Sequence, residues 1–198
     1  MIKTIIFDLA EVYLKGFYGF EDTLAGMLNM NSEEIKDLIY GSEFDFLMEG
    51  RISENEFWEI LCSKNNWKID PNQLKEAIRD NFQEIEGTGE IIESLKKKGF
   101  KLGLLSDHSK EWIEHCSKEF DYHKLFDSTQ YSFEVGVCKT NKRAFELFLD
   151  KLGEEAGNCL FIDDNINNIN VAKGMGFHTI HFKNPKQLKE ELVKLKLL

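Results

Sequence analysis

The chain has 198 residues, 42% of them apolar and 30% charged, with a formal net charge of −10. That length supports one good core with room for a small appended domain, and the acidic balance argues against nucleic acid or an anionic membrane as partner. There is no apolar run of about 18 residues and no basic-then-apolar N-terminus, so no transmembrane helix or signal peptide is expected, and the chain reads as a cytoplasmic monomer or homodimer.

Residues 2–14 read IKTIIFDLAEVYL. Ile5, Ile6 and Phe7 predict a short buried strand that ends in the carboxylate of Asp8. In open parallel α/β sheets, ligands bind just beyond the carboxyl ends of the strands. Asp8 is therefore a candidate nucleophile or metal ligand, although a strand-end Asp also simply caps turns.

A long helical stretch follows. Asn31-Ser32-Glu33-Glu34 caps a predicted helix running to about Tyr40. Ser53-Glu54-Asn55-Glu56 is a capping box, opening a helix expected to carry Phe57, Ile60 and Leu61 on one face. Pro71 suits the first turn of another helix, with Leu74, Ile78 and Phe82 at helical spacing. Residues 15–85 thus read as all-helical.

After that stretch the pattern alternates. Helices are predicted near 88–98, 109–119, 141–152 and 166–174, with a last one from Pro185. Strands are predicted at Phe100–Ser106, near Ser128–Ser132, at Leu160–Ile162 and at Phe177–Phe182. Such alternation implies an α/β fold: a Rossmann-like parallel sheet with right-handed crossovers, flanked by helices. The expected organisation is an α/β core of residues 1–14 and 86–198 with a helical cap domain, 15–85, inserted after the first strand.

Four strands end in polar groups: Asp8, Ser106, the loop after Ser132, and Asp163-Asp164. In a parallel sheet these ends share one edge, so three carboxylates can converge. Two of them 4 Å apart repel by roughly 4 kcal/mol at an effective dielectric near 20. A bound cation removes that cost, and oxygen-only ligands favour Mg²⁺. The alternative is that Asp163 and Asp164 cap the helix after them. Lys139, placed at the same edge, would offset the acidic charge and neutralise a phosphate oxygen; taken alone, a single lysine reads first as a solvated surface residue. Gly87-Thr88-Gly89 lacks the third glycine of a dinucleotide fingerprint. Cys62, Cys116, Cys138 and Cys159 form no CxxC pair and read as reduced thiols. His108 and His115 read as helix residues, with His108 an outside candidate for substrate contact.

Taken together, FDLAEV, LLSDHS, SFEVGVCKTN and FIDDNINNINVAKGMGF resemble, in order, the four motifs of the haloacid dehalogenase-like hydrolase superfamily. The resemblance spans essentially the whole chain. SEFDFLMEGRISENEFWEIL resembles the small helical cap of the branch that holds bacterial sugar-phosphate phosphatases and the phosphatase domain of soluble epoxide hydrolases. The resemblance implies that Asp8 attacks phosphorus to form an aspartyl-phosphate. It implies Mg²⁺ held by Asp8, the Ala10 carbonyl and Asp164, with Asp163 close by. Ser106, Lys139 and the amides near Leu9 and Ala10 would hold the phosphoryl group, while Asn165 and Asn168 shape the metal loop. The implied substrate is a small phosphorylated metabolite, such as a sugar phosphate, selected by the cap.

Two departures bear on activity. Ala10 stands where phosphatases of the superfamily usually carry the Asp that protonates the leaving oxygen. General acid–base help contributes about 10²–10⁴-fold. The branch includes phosphatases with Gly there; Glu11, next door, is a possible proton source, although a solvent-facing Glu11 near the cap hinge is the plainer expectation. Asp107 stands where the second motif commonly has Asn, and brings negative charge towards the phosphate site. Thr140 replaces a common Pro. A different class of reading follows from Ala10 and Asp107: a catalytically degenerate member that binds a ligand or a protein. A dehalogenase would lack the acidic pair of the fourth motif. Phosphonate hydrolysis is compatible with Ala10 but requires a cap lysine forming a Schiff base, for which Lys15 and Lys36 are available. Glu43, Asp45, Glu49 and Arg51 are substrate-contact candidates by position only; Arg51 could contact an anionic leaving group, although a surface arginine is the plainer expectation. Trp58, Trp67 and Trp112 read as core.

Overall fold

A computed structural model describes residues 1–198. Strand β1 (Thr4–Phe7) is buried along its whole length, and a two-residue strand β2 (Leu14–Lys15) follows it. Five helices come next: α1 (Phe20–Leu28), α2 (Ser32–Ile39), α3 (Ser42–Met48), α4 (Glu54–Asn65) and α5 (Pro71–Asn81). Strand β3 (Gln83–Glu84) then pairs antiparallel with β2, Leu14 opposite Glu84 and Lys15 opposite Gln83. The rest alternates: α6 (Thr88–Lys97), β4 (Lys101–Ser106), α7 (Lys110–Glu119), β5 (Ser128–Tyr131), the single turn α8 (Ser132–Val135), α9 (Lys142–Leu152), β6 (Cys159–Asp163), α10 (Ile166–Gly174), β7 (His178–His181) and α11 (Pro185–Lys194).

Local signals account for the helix starts. Asn31, Ser53 and Asp70 each accept a hydrogen bond from a first-turn amide, Ser53 within a reciprocal box with Glu56, and Pro71 occupies the first turn of α5. Two local expectations need correction. Residues 15–85 are not wholly helical: their ends form the β2–β3 ribbon, because Lys15 and Gln83 are where the chain leaves and re-enters the sheet layer. Ile60 is largely exposed on α4, and its expected place is taken by Trp58, which is fully buried with Phe57 and Leu61. Helical geometry sets i, i+1 and i+4 on one side there, and the larger indole buries more apolar surface.

The main sheet is parallel throughout, in the order β5-β4-β1-β6-β7. The chain reverses direction across the sheet at β1, so the crevice beyond the carboxyl ends of β1, β4 and β6 is the expected ligand position. Alternate residues feed two apolar layers. Ile6, Leu105 and Phe161 face α9 and α10, among Phe145 and Phe148. Ile5, Phe7, Leu104 and Ile162 face the other way, into a larger core that continues through Phe17 and Phe20 to Trp58, Leu74 and Ile78 of the inserted helices. These helices and the sheet therefore share one apolar core. They also touch at α8: the Ser132 hydroxyl donates to the Met48 carbonyl at 2.6 Å. Gly50, at φ 68°, lies so close that a Cβ would sit 2.7 Å from the Phe133 carbonyl oxygen.

Candidate active site

The polar strand ends meet as the parallel topology requires. Asp8 follows β1, its amide bonded to the Ile162 carbonyl of β6 at 2.9 Å. Lys139, whose side chain is almost fully buried, places its Nζ 2.7 Å from Asp8 Oδ2 and 2.7 Å from Asp163 Oδ2. Asp163 is fully buried at the end of β6. Its Oδ1 accepts from the Asn165 amide at 2.7 Å, and Asn168 Nδ2 lies 3.3 Å from both its oxygens. Carboxylate oxygens of Asp8, Asp163 and Asp164 all lie within 4.8 Å of one another. The Leu9 amide donates to Asp8 Oδ1 at 2.7 Å. Ser106, at the end of β4, is fully buried, and its Oγ has no hydrogen-bond partner.

Burial raises the Asp8 carboxyl well above the usual carboxylate range, against the lowering effect of Lys139 and with help from Asp163 and Asp164. Burial, then the neighbouring Asp163, pushes Asp164 up to about 6. Lys139 stays a cation, because Asp163, Asp8 and Asp107 outweigh its desolvation. Three carboxylates against one ammonium leave an excess of negative charge in a dry site, and every available donor is a hard oxygen. That donor set fits a divalent cation such as Mg²⁺. Within it, the oxygens of Asp163 are engaged by Lys139, Asn165 and Asn168, those of Asp8 meet Lys139 and the Leu9 amide, and Asp8 and Asp164 line the cavity.

Asp107 also resolves. Both its oxygens accept from the Lys139 amide, at 3.0 and 3.1 Å, and burial pushes its carboxyl up to about 6 despite Lys139 nearby. It fixes the loop that presents Lys139. Glu11 does not face solvent. It is partly buried, lines the same cavity as Asp8, and its Oε1 accepts from the Gly16 amide at 2.8 Å. Its φ of 57° turns the chain back on itself, so the side chain folds inward over the loop.

A cavity of about 350 Å³ opens from the acidic cluster towards the inserted helices. Asp8, Ala10, Asp107, Lys139, Asp164, Asn165 and Asn168 form its floor, and Phe17, Tyr18, Tyr40, Phe44, Met48, His108 and Trp112 its upper wall. Sequence reading missed most of that wall. Its only signal was the aromatic density of residues 17–44, which also describes ordinary core. Of the four positional candidates, Asp45 alone lines the cavity. Glu43 pairs with Lys64 at 3.1 Å. Arg51 pairs with Glu49 at 3.4 Å and lies over the Phe46 ring, at the surface. Lys36 pairs with Glu33 at 2.8 Å in the open, and neither it nor Lys15 lines the cavity. His115 lies outside the cavity lining on α7, whereas His108 is buried within it.

A family model for haloacid dehalogenase-like hydrolases matches residues 2–176. The chain belongs to that family. Among curated relatives, a Dictyostelium discoideum protein is 27% identical over 74% of this chain and 66% of its own length. Phosphate metabolism protein 8 of Saccharomyces cerevisiae is 26% identical over 92% of this chain and 58% of its own. The chain thus spans about two thirds or less of those relatives. The D-ribitol-5-phosphate phosphatase of Bacteroides thetaiotaomicron is 24% identical over 97% of both chains. Among solved structures, a HAD-like hydrolase from Porphyromonas gingivalis superposes with a TM-score of 0.81 at 23% identity, covering 99% of this chain and 98% of that one. A HAD family enzyme from Bacteroides thetaiotaomicron, in complex with magnesium and inorganic phosphate, gives 0.77 at 20% identity, covering 93% and 96%. The last two establish the shared fold. No helix of this HAD-like hydrolase is long and apolar enough to cross a membrane.

Proposed function

We propose that this chain is a Mg²⁺-dependent phosphatase of a small phosphorylated metabolite, acting through an aspartyl-phosphate on Asp8, with residues 15–85 serving as the cap over the α/β core. The observation that carries the reading is the buried Lys139 ammonium held 2.7 Å from both Asp8 and Asp163, with Asp164 close by and the unpartnered Ser106 hydroxyl at the end of the neighbouring strand β4. Asp8, Asp164 and the Ala10 carbonyl would hold the metal, with Asp163 locking Lys139 and the metal loop in place. The metal, when bound, supplies charge neutralisation at the transferring phosphoryl group.

The residues divide the work as follows. Asp8 Oδ attacks phosphorus while the bond to the leaving oxygen breaks. Lys139 and Ser106 Oγ donate to the phosphoryl oxygens, where negative charge collects. The Leu9 amide, already hydrogen-bonded to Asp8, orients the nucleophile. The cap aromatics keep bulk solvent from the reacting atoms, and one water then attacks the aspartyl-phosphate at phosphorus, breaking its bond to Asp8 Oδ to release phosphate and restore the carboxylate. A magnesium- and phosphate-bound neighbour supports the metal assignment. An aspartate-to-alanine mutant of that neighbour, also crystallised with magnesium and phosphate, supports the view that losing a carboxylate in this fold is compatible with binding both.

Ala10 favours a second reading, a degenerate member that binds its ligand without turnover. Phosphate release from p-nitrophenyl phosphate and a panel of sugar phosphates, with Mg²⁺ or EDTA, separates the two. The phosphatase reading requires metal-dependent release that Asp8→Asn abolishes. No release by a folded protein, restored sharply by Ala10→Asp, would establish the degenerate reading.

A further inference from the structure

The cavity wall above the acidic floor is built from ring systems in mutual contact. Phe17 and Trp112 stack with centroids 5.3 Å apart, and Phe44 meets Phe17 and Tyr40 edge to face at 5.4 and 5.1 Å. The polar atoms of these rings are already used. Trp112 Nε1 donates to Glu54 Oε1 at 2.7 Å, and the Tyr40 hydroxyl donates to Glu21 Oε1 at 2.7 Å. Glu54 and Glu21 are themselves buried, so both rings are pinned by fixed acceptors behind the wall. These four rings offer a ligand carbon, while His108, whose buried Nδ1 has no hydrogen-bond partner, and the half-exposed Tyr18 line the same cavity.

The charges of the cavity point the same way. Lys139 is its only lysine or arginine, and it is committed to Asp8 and Asp163. Away from the metal-type pair Asp8 and Asp164, the lining adds Glu11, Asp45 and Asp107. Asp107 and Glu11 are each held by a backbone amide; Asp45 is exposed at the rim. Arg51, in the turn between α3 and α4, is turned away onto Phe46. A second phosphate or a carboxylate on the substrate would face acids with no counter-cation, and like charges in a partly desolvated cleft strongly oppose binding.

We propose that this site selects a phosphate ester whose leaving group is a flat, apolar ring system with no second anionic group. This rests on the phosphatase reading and narrows its substrate class away from sugar bisphosphates and phosphorylated sugar acids. Phe44 would meet the ring, with the buried Phe17 and Trp112 packed behind it, and Asp45 would repel an anionic substituent.

The test compares esters of primary alcohols, so that leaving-group basicity is matched: naphthylmethyl phosphate, an acyclic pentitol phosphate, benzyl phosphate and para-carboxybenzyl phosphate. With Mg²⁺, kcat/KM for the naphthylmethyl ester should exceed that for the pentitol ester by about tenfold or more, mainly through KM, and the carboxylate should cost about tenfold against benzyl. Phe44→Leu should raise KM for the naphthylmethyl ester more than for the pentitol ester. Asp45→Asn, at an exposed position, should shrink the carboxylate penalty severalfold. The same esters are titrated calorimetrically into Asp8→Asn, which reads binding without turnover. Release from no ester would overturn the phosphatase reading alone, and the binding order would still judge the ring preference. Pentitol ester bound as tightly as naphthylmethyl ester, no carboxylate penalty, or no binding of any ester would overturn the proposal.

Discussion

Glu54 joins the inserted helices to the sheet layer, and its removal tests how firmly. The side chain is 1% exposed. Its two oxygens take the Arg79 guanidinium of α5 as a fork, and Oε1 also accepts from Trp112 Nε1 of α7 at 2.7 Å and from Trp58 Nε1 at 3.4 Å. Glu54→Leu leaves a cation and two indole N–H groups without an acceptor. Breaking a buried ion pair from one side costs about 3–5 kcal/mol, and an orphaned buried donor adds about 1–3 kcal/mol. Arg79 retains 22% side-chain exposure, so water recovers part of its charge, and the leucine adds some apolar burial. The expected loss is about 3–4 kcal/mol from a total of about 5–15 kcal/mol. Urea unfolding followed by tryptophan fluorescence should show a lower midpoint with the slope unchanged. Arg79→Met on top should cost little more, because the stranded cation is gone. A loss below about 1 kcal/mol, or strictly additive effects of the two substitutions, would refute the assignment of Glu54 as the anchor of this junction.

Three further outcomes are expected. Lys139→Met should lower phosphate release by about 10²–10³-fold, as loss of one pre-placed donor does, and Lys139→Arg should not restore it, since a planar guanidinium does not fit a slot made for one ammonium between two carboxylates; full activity in the arginine variant would contradict the geometry. Gly50→Ala should destabilise by about 2 kcal/mol, lowering the thermal midpoint by roughly 4–8 °C, because φ is 68° and the Phe133 backbone blocks the Cβ; an unchanged midpoint would show that the α3–α4 turn yields freely. Burial holds His108 down at about 3, from 6.5, so below pH 6.5 the unfolded chain takes up a proton that the folded chain refuses, and stability falls with pH. At pH 5 the loss is about 2 kcal/mol, and His108→Gln should remove that portion of the slope in denaturant titrations run between pH 7 and 5.

The alternation of strands and helices, the edge on which Asp8, Ser106, Lys139, Asp163 and Asp164 gather, and most helix boundaries were legible because each rests on a local signal or on the parallel arrangement that the alternation implies. Asn31, Ser53 and Asp70 cap their helices through atoms two or three residues away, and a parallel sheet forces its strand ends together whatever fills its core. What escaped depends on contacts distant in sequence. The β2–β3 ribbon is two residues wide on each side, too short to carry a period, and exists only because the chain must leave and return at one place. Ile60 and Trp58 differ by half a turn, and it is Trp58 that meets the core, its ring centroid 5.9 Å from that of Phe20 in α1. Asp163 and Asp164 are adjacent and chemically identical in the sequence, yet one is locked by Lys139, Asn165 and Asn168 while the other lines the cavity. Glu11 read as a hinge residue facing water; its left-handed backbone, which no propensity favours for glutamate, turns it inward to the Gly16 amide. The aromatic wall was hardest of all. Core rings and rings that face a cavity share one composition and one spacing, and only the acceptors behind them, Glu21 for Tyr40 and Glu54 for Trp112, distinguish a surface held open from one that has collapsed. Those acceptors lie 19 and 58 residues from the rings they fix, so the aromatic wall of the cavity is written in pairings that no local window contains.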